Sequence, residues 1–552
     1  MNHASSYCMT YLKKDRMSLR SNCAKVGLYR RAGIPLAQFA ALAAVLLISG
    51  CASVRYDAPR VPSYAFDQPL QTTLGQEYWP QLASKPDQSG FHLLISGQDA
   101  FAARAALAGS AQRTLDLQYY IVSQDITTTV LLYEVLQAAQ RGVRVRLLVD
   151  DLNVGDRESD LAMLARHPNI EVRLFNPFAE RGKFGVGRAL ELMTDIDRLN
   201  RRMHNKLWIA DGAVAVAGGR NLGDAYFNAS SDDDFGDLDV LAAGPIVGEV
   251  SHNFDQFWNS EWAVPIAAIV GPAPQGADRG VSSAEMAARV QGFRDSGYVR
   301  TLRENAFGRL VRAGTVPLAV GQAQALYDAP GDPNTDTVET KGPIFPVLRE
   351  VTVQAKKEID IVTPYLVPGP NGVALLCGAA GHGVRVRILT NSLVSTDVPV
   401  VHAGYARYRP QLLACGVELY ELRPKDGPVK HMRPGLSSGA KLHTKTMVVD
   451  GQIAFIGSMN LDPRSKDLNT EVALRIDSPA LGAQLTKLFN ESTTLDQAFR
   501  VELDQPGNAK AALHWDTVED HQPVRYDHEP LASPWLRLEV NLLGSLVPEG
   551  EL

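Results

Sequence analysis

The segment His-Asn-Lys-Leu-Trp-Ile-Ala-Asp, from His204 to Asp211, returns later as His-Thr-Lys-Thr-Met-Val-Val-Asp, from His443 to Asp450. Both read H-x-K-x-x-x-x-D. Each is followed by a small-residue turn ending in Asn: Gly218-Gly219-Arg220-Asn221 and Gly457-Ser458-Met459-Asn460. One such motif is within reach of accident. Two in matching contexts mean a duplicated unit. The chain is therefore expected to fold as two similar halves and to build one active site from two half-sites.

The surroundings repeat as well. Thr114 to Ile121 alternates like a strand, Thr127 to Gln140 carries apolar residues at helical spacing, and Arg141 to Asp150 supplies a glycine stop and a second strand. The counterparts are Glu358 to Tyr365, a helical stretch near 371–380, and His382 to Asn391. Gly-Val-Arg-Val-Arg occurs in both. The offsets agree: 244 residues from Asp116 to Asp360, 241 from Gly142 to Gly383 and 239 from His204 to His443. Each copy reads as one α/β domain, at 89–264 and 341–500. Residues 265–340, rich in Ala, Gly, Pro and Asp, are expected to cross the outside of the pair. Residues 501–552 form a C-terminal extension.

The H-x-K segments read as strands. His204, Lys206 and Trp208 share one face, while Met203, Leu207 and Ile209 face a core. Asp211 and Asp450 close their strands just before a glycine, so they read as turn residues rather than reacting groups. The chemistry suggested is attack on a phosphodiester. One imidazole attacks phosphorus, a second protonates the leaving alkoxide, and two lysines hold the non-bridging oxygens. A single half-site lacks the second imidazole. Downstream of each motif stands a polar pair, Asp237-Leu-Asp239 and Asn469-Thr-Glu471, at an offset of 232. Asp239 and Glu471 are expected to lie behind the imidazole of their own half and fix its tautomer.

Composition limits the partners. The net charge is −6, and residues 1–50 hold seven basic residues and one acidic, so the remainder stands at −12. That balance disfavours a nucleic-acid ligand. The cysteines show no metal-ligand spacing, and neither a metal nor a cofactor is expected. Cys377 and Cys415 read as buried thiols, with a disulfide between them the alternative in an oxidising compartment.

The first 31 residues are basic, and residues 32–50 are uncharged and apolar up to Leu47-Ile48-Ser49-Gly50-Cys51. This pattern is that of a secretory signal, with Met1 or Met17 as its start. The last five residues resemble a bacterial lipobox, in which Cys51 becomes the lipidated first residue. An uncleaved anchor is the alternative. Either places the body beside a membrane, outside the cytoplasm. Ala52, in place of Asp, resembles cargo sorted to the outer membrane. Residues 51–88 read as a tether with little structure of its own.

These motifs resemble the phospholipase D superfamily, whose signature is a duplicated H-x-K-x4-D-x6-G-[GS]-x-N. The resemblance covers about 86–500. It is strongest to bacterial cardiolipin synthases of the C type, through Leu115 to Ile121, Glu171 to Phe178, Leu199 to Lys206, Gly218 to Phe227, Val401 to Arg407, Gly416 to Leu422 and Asp462 to Ser465. The lipobox departs from that type. The resemblance implies two α/β sandwich domains, each a mixed sheet flanked by helices, packed as a pseudo-twofold pair. It implies His204, Lys206, Asp211, His443, Lys445 and Asp450 as the catalytic signature, with Asn221 and Asn460 near the phosphate. His204 is expected to form a phosphohistidine and His443 to serve as acid and then base. The expected reaction is phosphatidyl transfer that makes cardiolipin from phosphatidylglycerol and a second phospholipid. The alternatives are a hydrolytic phospholipase D, a nuclease of the superfamily and a non-catalytic envelope scaffold. Arg201 and Arg202 are candidates to attract anionic head groups, and His402 is a candidate pocket residue. Trp535, Leu538, Leu542 and Leu546 recur at helical spacing, which suits a membrane interface. Glu539, Glu549 and Glu551 would be repelled by an anionic surface, which favours docking on the protein's own surface.

Overall fold

The computed structural model describes residues 57–154, 157–181, 193–230, 234–270, 281–293, 305–331, 341–424 and 441–546, with isolated positions besides. The signal segment and Cys51 lie outside the described residues. Strands β2 (Thr114–Tyr119), β3 (Arg144–Asp150) and β4 (Ile170–Phe175) run parallel. Between β2 and β3 runs a helix (Ile126–Gln140), capped by the Asp125 side chain, which accepts the Thr128 N–H at 3.1 Å. It ends before Gly142, whose φ of 101° turns the chain back into the sheet. The second half repeats this with β11 (Glu358–Val362), β12 (Arg385–Asn391) and β13 (Glu418–Leu422).

The polar residues repeated within these apolar strands pair with one another. Arg146 donates to Asp116 at 2.7 Å, and Arg387 to Asp360 at 2.7 Å. A buried guanidinium needs such a partner to offset its desolvation.

Antiparallel strands complete each half. In the first, β5 (Leu207–Ala210) joins β2, then come β6 (Val214–Gly218), β8 (Asp239–Ala243) and β1 (Ser89–Leu94), while β9 (Ala263–Pro265) flanks β4. In the second, β15 (Thr446–Val449) joins β11, followed by β16 (Ile453–Gly457), β17 (Val472–Asp477) and β10 (Ala319–Tyr327). Strands β1 and β10 pair antiparallel, Ser89 opposite Gly321, and fuse the two sheets into one of 18 strands. A pseudo-twofold axis therefore runs between them. A short parallel pair, β7 (Phe235–Gly236) with β14 (Lys441–Leu442), links the halves again beside the second motif. Residues of both halves share one apolar core, in which Leu207, Ile209 and Val240 meet Ile456, Leu474 and Leu485.

Four expectations change. The connector does not only skirt the outside: Ala319–Tyr327 of it form β10, the strand that joins the halves, where Gln322 and Gln324 alternate with small and apolar neighbours. From residue 57 onward the supposed tether is fastened to the body. Arg146 donates to the Ser63 carbonyl at 2.7 Å, Arg173 to that of Val61 at 2.9 Å, and Leu74 and Tyr78 are fully buried. Cys377 and Cys415 are half-buried and disulfide-bonded rather than buried thiols, since the helix Gly369–Gly381 and the end of the helix Pro399–Ala414 bring their Cα atoms to 5.4 Å. Finally, strand structure starts at Leu207 and Thr446, three residues after each histidine. Trp208 still faces one core while Leu207 and Ile209 face the other.

The C-terminal extension adds strands to the second sheet and a last helix. Strand β18 (Ala498–Leu503) pairs with β13, and β19 (Leu513–Glu519) and β20 (Gln522–Tyr526) follow as a hairpin. Helix α1 (Pro399–Ala414) packs against the terminal helix α2 (Pro534–Leu546). Leu536 and Val540 bury one face of α2 against Leu393, Val394 and Ala403, while Trp535, Leu538 and Leu542 stay exposed.

Candidate active site

Each motif histidine sits in extended chain that enters a central strand, and each is tied to the other half by its backbone. The His204 N–H donates to the Thr470 carbonyl at 2.9 Å, and the His443 N–H to the Gly236 carbonyl at 2.8 Å. The residue after each of those carbonyls is an acid. Glu471 accepts the Nδ1–H of His204 at 2.9 Å, and Asp237 that of His443 at 2.6 Å. The carboxylates thus cross between halves. With Nδ1 carrying its proton toward a carboxylate, Nε2 of each ring presents its lone pair to a substrate.

This corrects the expected pairing. Gly218 stands opposite Asp239 in the sheet, and Gly457 opposite Ala473. The equivalent of Glu471 is therefore Asp237, two residues before the position suggested by the 232-residue offset. Asp239 orients no histidine. It accepts from Arg104 at 2.8 Å and from the Arg220 N–H at 3.1 Å, as the counter-ion of buried arginines. Glu471 orients a histidine, but that of the other half.

The small-residue turn of each motif matches its carboxylate. A Cβ on Gly219 would stand 2.2 Å from Oδ1 of Asp237, so only glycine leaves room. At the corresponding position Ser458 donates its hydroxyl to Glu471, and Ser465 donates a second at 2.8 Å. Ser465 carried no assigned role in the sequence, although it closes the Asp-Pro-Arg-Ser stretch. Aromatic rings wall the histidines: Tyr120 at 5.0 Å from His204, and Tyr226 and Phe235 at 5.3 and 5.2 Å from His443.

Both lysines are buried, and their ammonium groups donate to the carbonyls of His204 and His443. Burial pushes Lys206 down to about 7; Glu471 opposes that and Lys445 adds to it. Lys445 is lowered by burial too. An entering phosphodiester anion would favour the charged ammonium of both. Burial pushes His204 down to about 4, against the pull of Glu471, and it lowers His443 as well. For Asp237 and Glu471 burial alone would raise the carboxyl. The facing histidines and the lysines outweigh it and hold both below their ordinary range. The free site is thus a pair of neutral imidazoles backed by ionised carboxylates, with Lys206 and Lys445 acting on both rings.

The other sequence candidates take structural places. Asp211 and Asp450 adopt the left-handed conformation, each with φ of 55°. Asp211 accepts the backbone N–H groups of Gln112, Arg113 and Thr114, and Asp450 those of Lys356, Lys357 and Glu358. They pin the start of the neighbouring strand and make these bonds away from the histidines, so the catalytic part that the resemblance implies for them is a structural one here. Asn221 accepts from the Ile121 N–H at 3.1 Å and donates to the Tyr226 hydroxyl at 3.0 Å, bracing a wall of the site. Asn460 is buried, its Oδ1 has no hydrogen-bond partner among the described residues, and its backbone N–H donates at 3.1 Å to the Ser465 hydroxyl that serves Glu471. Arg202 is not a head-group attractor: it is fully buried, with Nε 3.0 Å from Asp150. His402 lies outside the site, against Glu529 of the C-terminal extension at 3.4 Å. Among the described residues, one cluster has the spacing of metal ligands, Glu502, His514 and Asp516, and it stands on β18 and β19 rather than at the motifs.

Two half-sites facing across a pseudo-twofold axis, each with a histidine, a lysine and a carboxylate from the opposite half, define a phospholipase D-type enzyme. The family model described as "Cardiolipin synthase, PLD-like domain" matches residues 105–258 and 348–493, and the chain belongs to that family. It is 41% identical to cardiolipin synthase C of Escherichia coli (strain K12) over 475 residues, 85% of this chain and 97% of that protein. Cardiolipin synthase A of Escherichia fergusonii is 26% identical over 420 residues, covering 75% of this chain and 71% of the relative. A crystal structure of phosphatidylserine synthase from Haemophilus influenzae shares the fold, with a TM-score of 0.50 at 13% identity over 78% of this chain and 92% of that one.

Proposed function

We propose that the protein is a phosphatidyltransferase that makes cardiolipin from phosphatidylglycerol and a second phospholipid. The observation that carries this is the crossed pair His204–Glu471 and His443–Asp237, flanked by two buried lysines. The bound phosphodiester anion favours protonation of His443, which takes up a proton at Nε2 from solvent. Nε2 of His204 attacks phosphorus, the bond to the head-group oxygen breaks, and the His443 imidazolium gives that proton to the leaving alkoxide. His443 then accepts the proton of an acceptor hydroxyl, whose oxygen displaces His204. With phosphatidylglycerol as acceptor the product is cardiolipin; with water it is phosphatidic acid. The deep depression of His204 suits the nucleophile, which must be unprotonated to attack. The similarity to cardiolipin synthases C and A supports the choice of transfer over hydrolysis.

The reading extends to location. Lipidation of Cys51 would tether the enzyme to a membrane on the periplasmic side. The Cys377–Cys415 disulfide supports an oxidising compartment. No described helix is long and apolar enough to cross a membrane. Labelling of the protein with a fatty-acid probe, lost in Cys51→Ser, tests the anchor.

The activity is tested by incubating the purified protein with phosphatidylglycerol and phosphatidylethanolamine and analysing the lipids. Cardiolipin that vanishes in His204→Ala and His443→Ala supports transfer. Phosphatidic acid alone assigns hydrolysis. No lipid change dependent on either histidine overturns both.

A further inference from the structure

Helix α2 lies outside the segments matched by the family model, and beneath it is an open cleft of about 660 Å³. The cleft is formed where the C-terminal extension meets α1. Its walls combine apolar side chains, Leu393, Ala403, Trp515 and Val540, with the guanidinium groups of Arg407 and Arg537. The nearby acids are unequally committed. Glu529 is engaged by Arg409 at 2.6 Å and by His402 at 3.4 Å, and Glu421 by Arg409 at 2.9 Å. Asp527 is the remaining carboxylate at the lining. Among the described residues neither Arg407 nor Arg537 makes a side-chain hydrogen bond or ion pair. Two uncommitted guanidiniums beside an apolar wall match an anionic amphiphile: phosphate oxygens for the arginines and acyl carbon for the wall.

The outer face of α2 points to where that amphiphile comes from. Trp535 is 78% exposed, Leu538 49% and Leu542 57%. Positions 535, 538 and 542 fall on one side of a helix. The opposite side is fixed to the body through Leu536 and Val540. The exposed Glu539 shares this side, so the face meets a bilayer through Trp535, Leu538 and Leu542 rather than through charge, and the cations stand in the cleft beside it. The catalytic centre is close along the chain. Asn391 donates to the Leu442 carbonyl, next to His443, at 3.0 Å, and two residues later Leu393 packs under α2.

We propose that this cleft is a second phospholipid site, separate from the catalytic histidines. It binds the phosphate of an anionic phospholipid through Arg407 and Arg537 while the exposed face of α2 rests in the bilayer interface. The proposal rests on the phospholipid reading of the active site only for its ligand class. Its effect is to seat the enzyme on anionic membrane with the His443 side of the active site toward the lipid.

The test is sedimentation of the full chain with vesicles of phosphatidylcholine containing phosphatidylglycerol or lacking it, in a His204→Ala background that prevents turnover. The expected result is preference for anionic vesicles, reduced roughly 10- to 30-fold in Arg407→Ala/Arg537→Ala, in keeping with one surface cation per site lost at each position. Trp535→Ser/Leu538→Ser should weaken binding to both vesicle types, with circular dichroism showing that α2 still folds. Turnover of detergent-dispersed phosphatidylglycerol by the double-arginine variant should equal that of the parent with His204 intact. Unchanged vesicle binding in the arginine variant overturns the second site, whatever the enzyme's activity. Inorganic phosphate that binds the arginines as tightly as lipid does assigns the cleft to a free anion and overturns it too. Normal vesicle binding with no lipid turnover by the parent would leave this site standing and remove the transferase reading instead.

Discussion

Glu471 belongs to the second half of the chain, yet it accepts the Nδ1–H of His204, in the first half, at 2.9 Å. Asp237 does the same for His443 in the opposite sense, at 2.6 Å. Neither half can orient its own histidine, so activity requires both halves correctly fused. The Glu471→Gln and Asp237→Asn variants should lose kcat by about 100-fold or more, within the range of general acid–base contributions. KM should change little. Asp239→Asn is the contrast. It leaves Arg104 and Arg220 without their counter-ion and should cost roughly 3–5 kcal/mol of stability. The folded fraction should retain its kcat. Steady-state kinetics and urea unfolding on the three variants check this.

A covalent intermediate should form on His204. In His443→Asn the first step lacks its acid and the second its base, so with a phosphatidyl p-nitrophenol substrate, whose phenolate leaves without a proton, the phosphatidyl group should accumulate on the protein. Mass spectrometry of the quenched variant should locate it on His204. Phosphate found on His443 in the reciprocal His204→Asn variant would reverse the order of the two histidines.

Burial holds His204 at about 4 in the folded protein, below its ordinary 6.5. The folded state thus binds fewer protons than the unfolded chain between these values. The contribution of His204 to stability is therefore complete above pH 6.5 and declines as pH falls toward 4. A shift of this size corresponds to about 3 kcal/mol. Urea midpoints should therefore fall more steeply across that window in the parent than in His204→Asn. Equal slopes would show that His204 is not buried as a neutral ring.

Asp211 and Asp450 each tie down three consecutive backbone N–H groups leading into an adjacent strand. Replacement by Asn keeps the left-handed backbone accessible and removes the charge that receives those donors. Each variant should lose about 2–3 kcal/mol, the scale of a hydrogen bond to a charged group. The pH profile of the activity should be unmoved. Differential scanning calorimetry beside a pH–rate series separates the two effects.

The Cys377–Cys415 disulfide closes a separation of 38 residues. Cys377→Ser/Cys415→Ser should cost about 3–4 kcal/mol by loss of the constraint on the unfolded chain. Activity at 25 °C should persist. Denaturant unfolding with and without reductant measures the difference, and the variant should no longer respond to the reductant.

Duplication, the strand–helix–strand order and the reacting residues were all legible in the sequence, because they are local. A repeated motif marks itself, strand alternation and glycine stops mark the elements, and His-x-Lys marks the chemistry. The buried pairs Asp116–Arg146 and Asp360–Arg387 were visible as a repeat even before their contacts were known. Contacts between distant segments were another matter. The role of β10 as the seam, the fastening of residues 57–78 to the body and the Cys377–Cys415 bond all depend on what those segments meet in space. Arg202 looked like a surface charge until Asp150 came to lie beside it.

His204 to Asp211 and its twin thus specified by themselves a duplicated enzyme with two histidines and two lysines. Which acid serves which histidine was decided by the tertiary structure alone. The acids Asp237 and Glu471 precede strands β8 and β17, and the sheet register makes them equivalent to each other. Backbone bonds from His204 to Thr470 and from His443 to Gly236 then carry each acid across the pseudo-twofold axis. Sequence spacing measures distance along one half, whereas the site lies where the two halves meet.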